Sequence, residues 1–244
     1  MKKSSSWILF LLFVFFIWMF AALYINNPYI LPSPINVLKE FFLLFQQKTF
    51  YISTFYSLIR VLISLFISFL FGCICAFASI RFPSIADILS KFTLIIRCLP
   101  NVTIIILLLF WVSREVSVFL VSFLLLFPIV FENMYHALLD IQQTWHDVLF
   151  IYHKPFIYLV KKVYLPLLKP SIYSSLLSCS SLGFKVGIMA EILSSVQIGL
   201  GRQIQFYRVN FELNKVMAYT LWILIIVFIF DFILKKVLNK LFVE

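Results

Sequence analysis

The side chains best suited to acid–base or metal chemistry are histidines and aspartates near the middle of the chain. They are His136, Asp140, His146, Asp147 and His153. His136 and Asp140 are four residues apart, a spacing that puts two side chains on one face of a helix. No H-E-x-x-H sequence accompanies them, so a hydrolytic enzyme is an alternative that rests on residue types alone. We interpret this region as a polar loop and expect no catalytic residue and no metal site in the chain.

The glycine content argues against nucleotide binding by this chain. The five glycines are Gly72, Gly183, Gly187, Gly199 and Gly201, and none of them precedes a lysine. The phosphate-binding sequence G-x-x-x-x-G-K-[ST] is therefore absent. If ATP drives this protein, a separate subunit binds the ATP and its Mg²⁺, and we expect this chain to hold no cofactor.

The composition is that of an integral membrane protein. Hydrophobic residues make up 63% of the 244 residues and charged residues 12%, whereas a soluble domain is about 25% charged. The net charge of +10 does not indicate nucleic acid as a partner, because no basic cluster lies in a soluble domain. In a membrane chain such an excess reflects Lys and Arg on cytoplasmic loops. We predict an all-α, multi-pass protein in the lipid bilayer.

Six segments approach the roughly 20 apolar residues that cross a bilayer core. They are residues 7–25, 61–80, 92–111, 116–131, 172–193 and 216–234. The first is too long for a signal peptide and lacks an A-x-A site, so we interpret it as an uncleaved anchor. Arg97 and Pro100 interrupt the third, and we expect Arg97 to reach the cytoplasmic headgroups. Glu132 is expected to end the fourth.

The distribution of basic residues predicts the orientation of these spans. With the N-terminus inside, twelve Lys and Arg fall on cytoplasmic segments and seven on outer ones. This bias favours both termini in the cytoplasm and an even number of spans. Apolar residues at helical spacing over about 35–47 also predict an amphipathic helix in the outer interface.

Three charged residues lie within the last two predicted spans. Lys185 and Glu191 are six residues apart and therefore do not share a helix face. Lys185, in mid-span, would either attract an anionic solute or pair with another span. Glu191 lies near the outer end, where a structural or interfacial role is the alternative to lining a translocation pathway. Asp231 is four residues before Lys235, which predicts a local ion pair.

A polar stretch, "DVLFIYHKPFIYLVKKVYLP", separates the fourth and fifth spans. Thr144 and Asp147 form a T-x-x-D capping pattern for a first helix that should stop near His153. Pro155 suits the first position of a second helix, and Pro166 is expected to end it.

The second helix carries one apolar stripe and a basic last turn. The stripe consists of Phe156, Leu159, Val160 and Val163, which recur at i, i+3, i+4 and i+7. Such a capped pair is either a solvated loop or a stiff docking element for a cytoplasmic partner.

The stretch resembles the cytoplasmic loop of permease subunits of binding-protein-dependent ABC importers. That loop reads E-A-A, then Gly, then hydrophobic-Leu-Pro. Here Asp147, Val148 and Leu149 stand for E-A-A, His153 for the Gly, and Leu165 and Pro166 for the closing pair. His tolerates a turn with positive φ better than most non-Gly residues.

Further motifs resemble the sulfonate, taurine, nitrate and thiamine-precursor group of these permeases. The group shows L-P-x-P after the first span, S-x-x-R before the second, W-K…A-E-hydrophobic-L in the fifth, and G-(I/L)-G after it. The matching segments are Leu31–Pro34, Ser57–Arg60, Phe184–Lys185, Ala190–Leu193 and Gly199–Gly201. The resemblance covers nearly the whole chain.

The resemblance implies a type I importer permease in a bacterial plasma (inner) membrane. Residues 1–244 would form one transmembrane domain, with a core at about 52–240 and a coupling loop at about 142–168. Its partners would be a second permease chain, as a homodimer, two ATP-binding subunits and a periplasmic or lipid-anchored solute-binding protein. ATP hydrolysis on those subunits would drive alternating access for a small organic solute or anion. The alternative is a secondary transporter or channel that needs no ATPase.

Overall fold

The computed structural model of the chain describes residues 2–151 and 155–242, and most of their side chains. The predicted all-α architecture is confirmed. The α-helices are α1 (Lys2–Ile25), α2 (Pro34–Leu43), α3 (Lys48–Arg81), α4 (Pro83–Cys98), α5 (Asn101–Trp111), α6 (Arg114–Thr144), α7 (His146–Ile151), α8 (Phe156–Leu159), α9 (Leu165–Leu167), α10 (Lys169–Ser194), α11 (Leu200–Val209) and α12 (Leu213–Phe242). A 3₁₀ turn at Leu44–Gln46 and a π turn at Val160–Tyr164 extend α2 and α8.

The six predicted spans correspond to helices of different kinds. Helices α3, α6, α10 and α12 are each long and apolar enough to cross a membrane. The predicted third span is a pair, α4 and α5, bent by 102° at Leu99 and Pro100. In α1 the described apolar stretch is the shorter Leu12–Ile25. The chain is a multi-pass membrane protein, and the side on which its termini lie stays a prediction.

Packing groups the chain into two compact units, with α3 and α12 running through both. The first unit comprises residues 1–56 and 195–226, and the second comprises residues 57–194 and 227–244. In the first unit, the ring of Phe41 stacks on Trp222 at 4.6 Å between centroids, and Trp222 Nε1 donates to the Phe41 carbonyl. The helix predicted over about 35–47 is present as α2 and its 3₁₀ turn, which begin after Ser33 as N-cap; its place in the outer interface stays a prediction.

In the second unit, α3 and α6 run parallel and α10 runs antiparallel to both. Arg60 contacts Glu115 at the start of α6, and further along α3 Gly72 lies against Val130. Arg60 also contacts Glu191 near the end of α10. Two parallel helices joined in sequence need a return crossing between them, and α4 and α5 supply it. Since α5 alone has 11 residues and spans only about 16 Å, we infer that the bent pair acts as one broken span.

The prediction that Glu132 ends the fourth span is wrong, because α6 continues for twelve residues to Thr144. The Glu132 carboxylate accepts hydrogen bonds from Thr93 Oγ1 at 3.1 Å and from the Arg97 guanidinium. With these partners on α4, a carboxylate is tolerated inside a long helix. Arg97 is therefore in an ion pair, where the sequence predicted a headgroup contact.

Candidate functional site

The described residues 146–151 and 155–168, after α6, fold into short helical pieces, hereafter the coupling segment. Asp147 lies in the first turn of α7 as predicted, where a negative charge suits the helix dipole. Thr144 is the last residue of α6, so it does not cap α7. Pro155 is the N-cap of α8 and its carbonyl accepts from the N–H of Tyr158 and Leu159, one position before the predicted place. His153 lies outside the described residues.

Pro166 does not end the second helical piece, which contradicts the prediction. The backbone widens into a π turn at Val160–Tyr164, closed by the Leu165 N–H donating to the Val160 carbonyl. Pro166 then sits in the first turn of α9, where a missing N–H leaves few bonds unmade. The π turn lets the chain pass a proline and continue into α10.

Only part of the predicted apolar stripe of the coupling segment packs against the core. Leu159 and Val160 pack against the core of the second unit as predicted. The next buried residues are Tyr164 and Leu168, whereas Phe156 of the predicted stripe is exposed. Val163 is half-buried.

Helix α7 of the coupling segment presents apolar side chains outward. Val148 and Ile151 are exposed, Ile151 by 72%, whereas the exposed Ile157 and Leu165 line a cavity against α3. Asp147 is exposed at the same end of α7 as Val148, and Pro166 is exposed beside Leu165. The side chain of Leu149 lies outside the described set. An exposed apolar patch of this kind marks an interaction surface.

Helix α10 carries a second surface, an exposed polar stripe within a membrane span. Ser174, Ser178, Ser181 and Lys185 are all exposed and follow each other at i, i+4, i+7 and i+11. At 100° per residue they lie within a narrow arc of the helix. No ion pair with a described residue involves Lys185. A charged group such as Lys185 at this depth faces water or protein, because lipid cannot satisfy it, whereas Ser174 Oγ donates to the Ser171 carbonyl of its own helix.

Glu191, the other residue predicted for a translocation pathway, lies in a buried ion cluster. Its side chain is 2% exposed, and its Oε1 is 2.7 Å from Arg60 Nη1. Ser57 Oγ lies 2.8 and 2.7 Å from the two carboxylate oxygens and donates to the carboxylate. Arg60 Nη2 is also 2.5 Å from Glu115 Oε2. This geometry fits the structural alternative for Glu191.

The comparison with protein families gives one match. Residues 68–242, more than two thirds of the chain, match the sequence model of the "Binding-protein-dependent transport system inner membrane component" family. The chain belongs to this permease family. Among curated protein sequences, none matches it significantly. The permease is thus a translocation subunit of the ABC transporter kind, a class that works with ATPase and solute-binding subunits.

Two motifs of the permease that are far apart in sequence meet in the ion cluster. Ser57 and Arg60 come from the S-x-x-R motif before the second span, and Glu191 comes from the A-E motif of the fifth. The sequence analysis identified both motifs but did not predict that they contact each other. The sequence signal for this pairing was available. It consisted of a cation before one span and an anion near the end of another, both at the predicted outer side.

Asp231 and the histidines are the remaining candidates in the permease. Asp231 Oδ1 accepts a hydrogen bond from Ser180 Oγ at 2.6 Å, so its partner is on α10 and the predicted pairing with Lys235 is not observed. His136 is exposed on α6, while His153 and the His146 side chain lie outside the described set. Among the described residues, no group of three His, Cys, Asp or Glu side chains is placed to hold a metal ion.

Proposed function

We propose that the chain is the permease subunit of an ATP-driven importer in a bacterial inner membrane. Two copies would form the translocation pathway, two ATPase subunits would dock on the coupling segments, and a solute-binding protein would deliver the ligand. ATP and Mg²⁺ would bind to the ATPase, and this chain would hold no cofactor. The ligand would be a small organic solute or anion of the sulfonate, taurine, nitrate or thiamine-precursor type.

The observation that carries this proposal is the form of the coupling segment. It combines an acidic first turn at Asp147 with exposed apolar side chains on α7. Its inner side is held by Tyr164 and Leu168, which are buried among the spans. A force applied to the outer side is therefore passed directly to α6 and α10, since cores are packed too densely to absorb it.

Charge reversal at Asp147 tests the docking role. We expect Asp147→Lys to reduce the ATPase that co-purifies with the permease by at least tenfold, since the docked surface would then present the wrong charge. Asp140→Lys is the matched control, because Asp140 is also exposed but precedes the coupling segment. Pull-down in mild detergent followed by quantitative mass spectrometry measures both. ATPase association that survives Asp147→Lys and deletion of residues 147–163 would contradict docking, and transport without ATP would favour a secondary transporter or channel.

The polar stripe of α10 supplies the best candidate for the pathway wall. Its serines offer hydroxyl groups and Lys185 a positive charge that suits an anionic solute. Helices α10 and α3 pack closely together where Gly183 and Gly187 lie against Val61. Lys185 is about 160° around the helix from these glycines, so the stripe faces away from α3.

Cysteine accessibility tests this pathway without knowledge of the solute. In a background without native cysteines, we expect Ser178→Cys and Lys185→Cys to react with a water-soluble, negatively charged thiosulfonate reagent. Ile229→Cys is the control, since Ile229 is an exposed apolar residue of α12 in the same unit and would face lipid. Labelling is measured by mass shift in reconstituted vesicles. If the stripe cysteines react as slowly as Ile229→Cys, α10 does not line an aqueous pathway.

A further inference from the structure

The second unit contains an apolar cavity between α3 and the coupling segment. Its volume is about 560 Å³, within the ~300–1,000 Å³ of small-ligand sites. One wall is a single face of α3, formed by Phe69, Leu70, Cys73, Ile74 and Phe77. These positions extend about 12 Å along the helix. The other walls come from the coupling segment, from α6 and from the start of α10.

The π turn gives this cavity its opposite wall. Because the Leu165 N–H donates to the Val160 carbonyl, these two residues stack one π turn apart. Both line the cavity together with Ile157. A regular α-helix would place Tyr164 above Val160, and Tyr164 is instead buried in the core.

Among the residues that the structure describes, Lys161 is the one charged residue in the cavity lining. It is exposed, and among the described residues no acidic side chain pairs with it. The rest of the lining is apolar apart from the Cys73 thiol. Water would find too few hydrogen-bond partners in such a site, so the occupant must be largely apolar with an anionic end.

The cavity also opens toward surfaces that suit lipid. Leu70, Ile74 and Ile157 line it and are exposed, and α3 is a membrane span. An acyl chain laid along α3 would cover these side chains while its headgroup phosphate reached the end of the bundle where Lys161 lies. A lysine beside an anionic headgroup contributes about 1 kcal/mol, or roughly fivefold in affinity.

We propose that this cavity binds an anionic phospholipid, with one acyl chain between α3 and the coupling segment and the headgroup phosphate on Lys161. The lipid would brace the coupling segment from the membrane side, opposite the outward surface of α7. The site does not depend on the proposed ATPase docking, so Asp147→Lys should leave lipid binding unchanged.

Native mass spectrometry of the full-length chain in detergent tests the site. The probes are phosphatidylglycerol and phosphatidylcholine with identical acyl chains. We expect the wild type to retain phosphatidylglycerol in preference to phosphatidylcholine and Lys161→Ala to retain about fivefold less of it. Lys161→Arg should behave as the wild type. Lys162→Ala is the matched control, because Lys162 is also exposed but does not line the cavity.

Four results would overturn the proposal. Equal retention of both lipids by the wild type would show tail binding alone. Unchanged retention in Lys161→Ala, or an equal loss in Lys162→Ala, would place the anionic lipid elsewhere. Disulfide cross-linking of Ile74→Cys between two copies of the chain would show that a second permease covers the cavity.

Discussion

Replacing Arg60 with Ala is expected to destabilise the folded permease by about 3–5 kcal/mol, because it leaves the buried Glu191 carboxylate without its cation. The Glu191 side chain is only 2% exposed, so water cannot take over the role of the guanidinium. Ser57 Oγ remains as a donor, but a single hydroxyl does not neutralise the charge. Thermal unfolding in detergent, followed by fluorescence-detected size exclusion, measures the loss.

The cluster provides its own controls. Glu115 contacts the same guanidinium, but its side chain is 47% exposed, so Glu115→Gln should cost less than about 1 kcal/mol. The double variant Arg60→Met with Glu191→Leu removes both charges and should recover much of the loss, since apolar residues of similar volume replace buried ion pairs well. Equal, small effects of Arg60→Ala and Glu115→Gln would show that the cluster does not stabilise the bundle.

A methyl group at Gly72 is expected to cost about 1–3 kcal/mol, because it over-packs the contact between α3 and α6. A Cβ at this position would be 2.6 Å from Val130 Cγ1 and 3.1 Å from the Phe131 backbone N. The valine can shift, but a backbone nitrogen inside α6 cannot move without displacing the helix. We therefore expect a lower unfolding temperature for Gly72→Ala, read by the same assay.

Gly183→Ala is the matched control for this helix contact. A Cβ there would be 3.4 Å from its nearest neighbour, Leu126 Cδ1, which is an ordinary contact. Since Ala is favoured over Gly inside a helix, the variant should be neutral or more stable. Val130→Ala should recover part of the loss when combined with Gly72→Ala. An unchanged or higher unfolding temperature for Gly72→Ala, or a lower one for Gly183→Ala, would mean that α3 and α6 approach each other differently. No recovery of stability when Val130→Ala is added to Gly72→Ala would mean the same.

The family and the membrane architecture could be predicted from sequence because their signals are local. Long apolar runs specify spans whatever their neighbours, and the order of short motifs around Asp147, Leu165 and Pro166 indicated the permease class. The position of Asp147 in a first helical turn was likewise predictable, since a negative charge suits that turn, although the predicted Thr144 cap does not form.

The partners of the charged side chains were not predictable in the same way. Asp231 was expected to pair with Lys235, four residues away, but its hydrogen bond comes from Ser180 on another helix. Glu132 was interpreted as the end of a span and Arg97 as a contact to the headgroups, yet they bind each other across two helices. Sequence spacing predicts which side chains are neighbours on one helix. The partner of a buried charge is instead a donor on another helix, and only the packing of the bundle places that donor within reach.

The coupling segment has some features that its sequence determines and others that only the tertiary structure determines. Its amino-acid order alone specifies a polar, proline-interrupted link between two spans, with an acid at its start. The π turn at Val160–Tyr164, the burial of Tyr164 and Leu168, and the cavity beside Lys161 exist only in the folded bundle. They arise because α3, α6 and α10 set the space into which the segment must pack, and a local sequence carries no measure of that space.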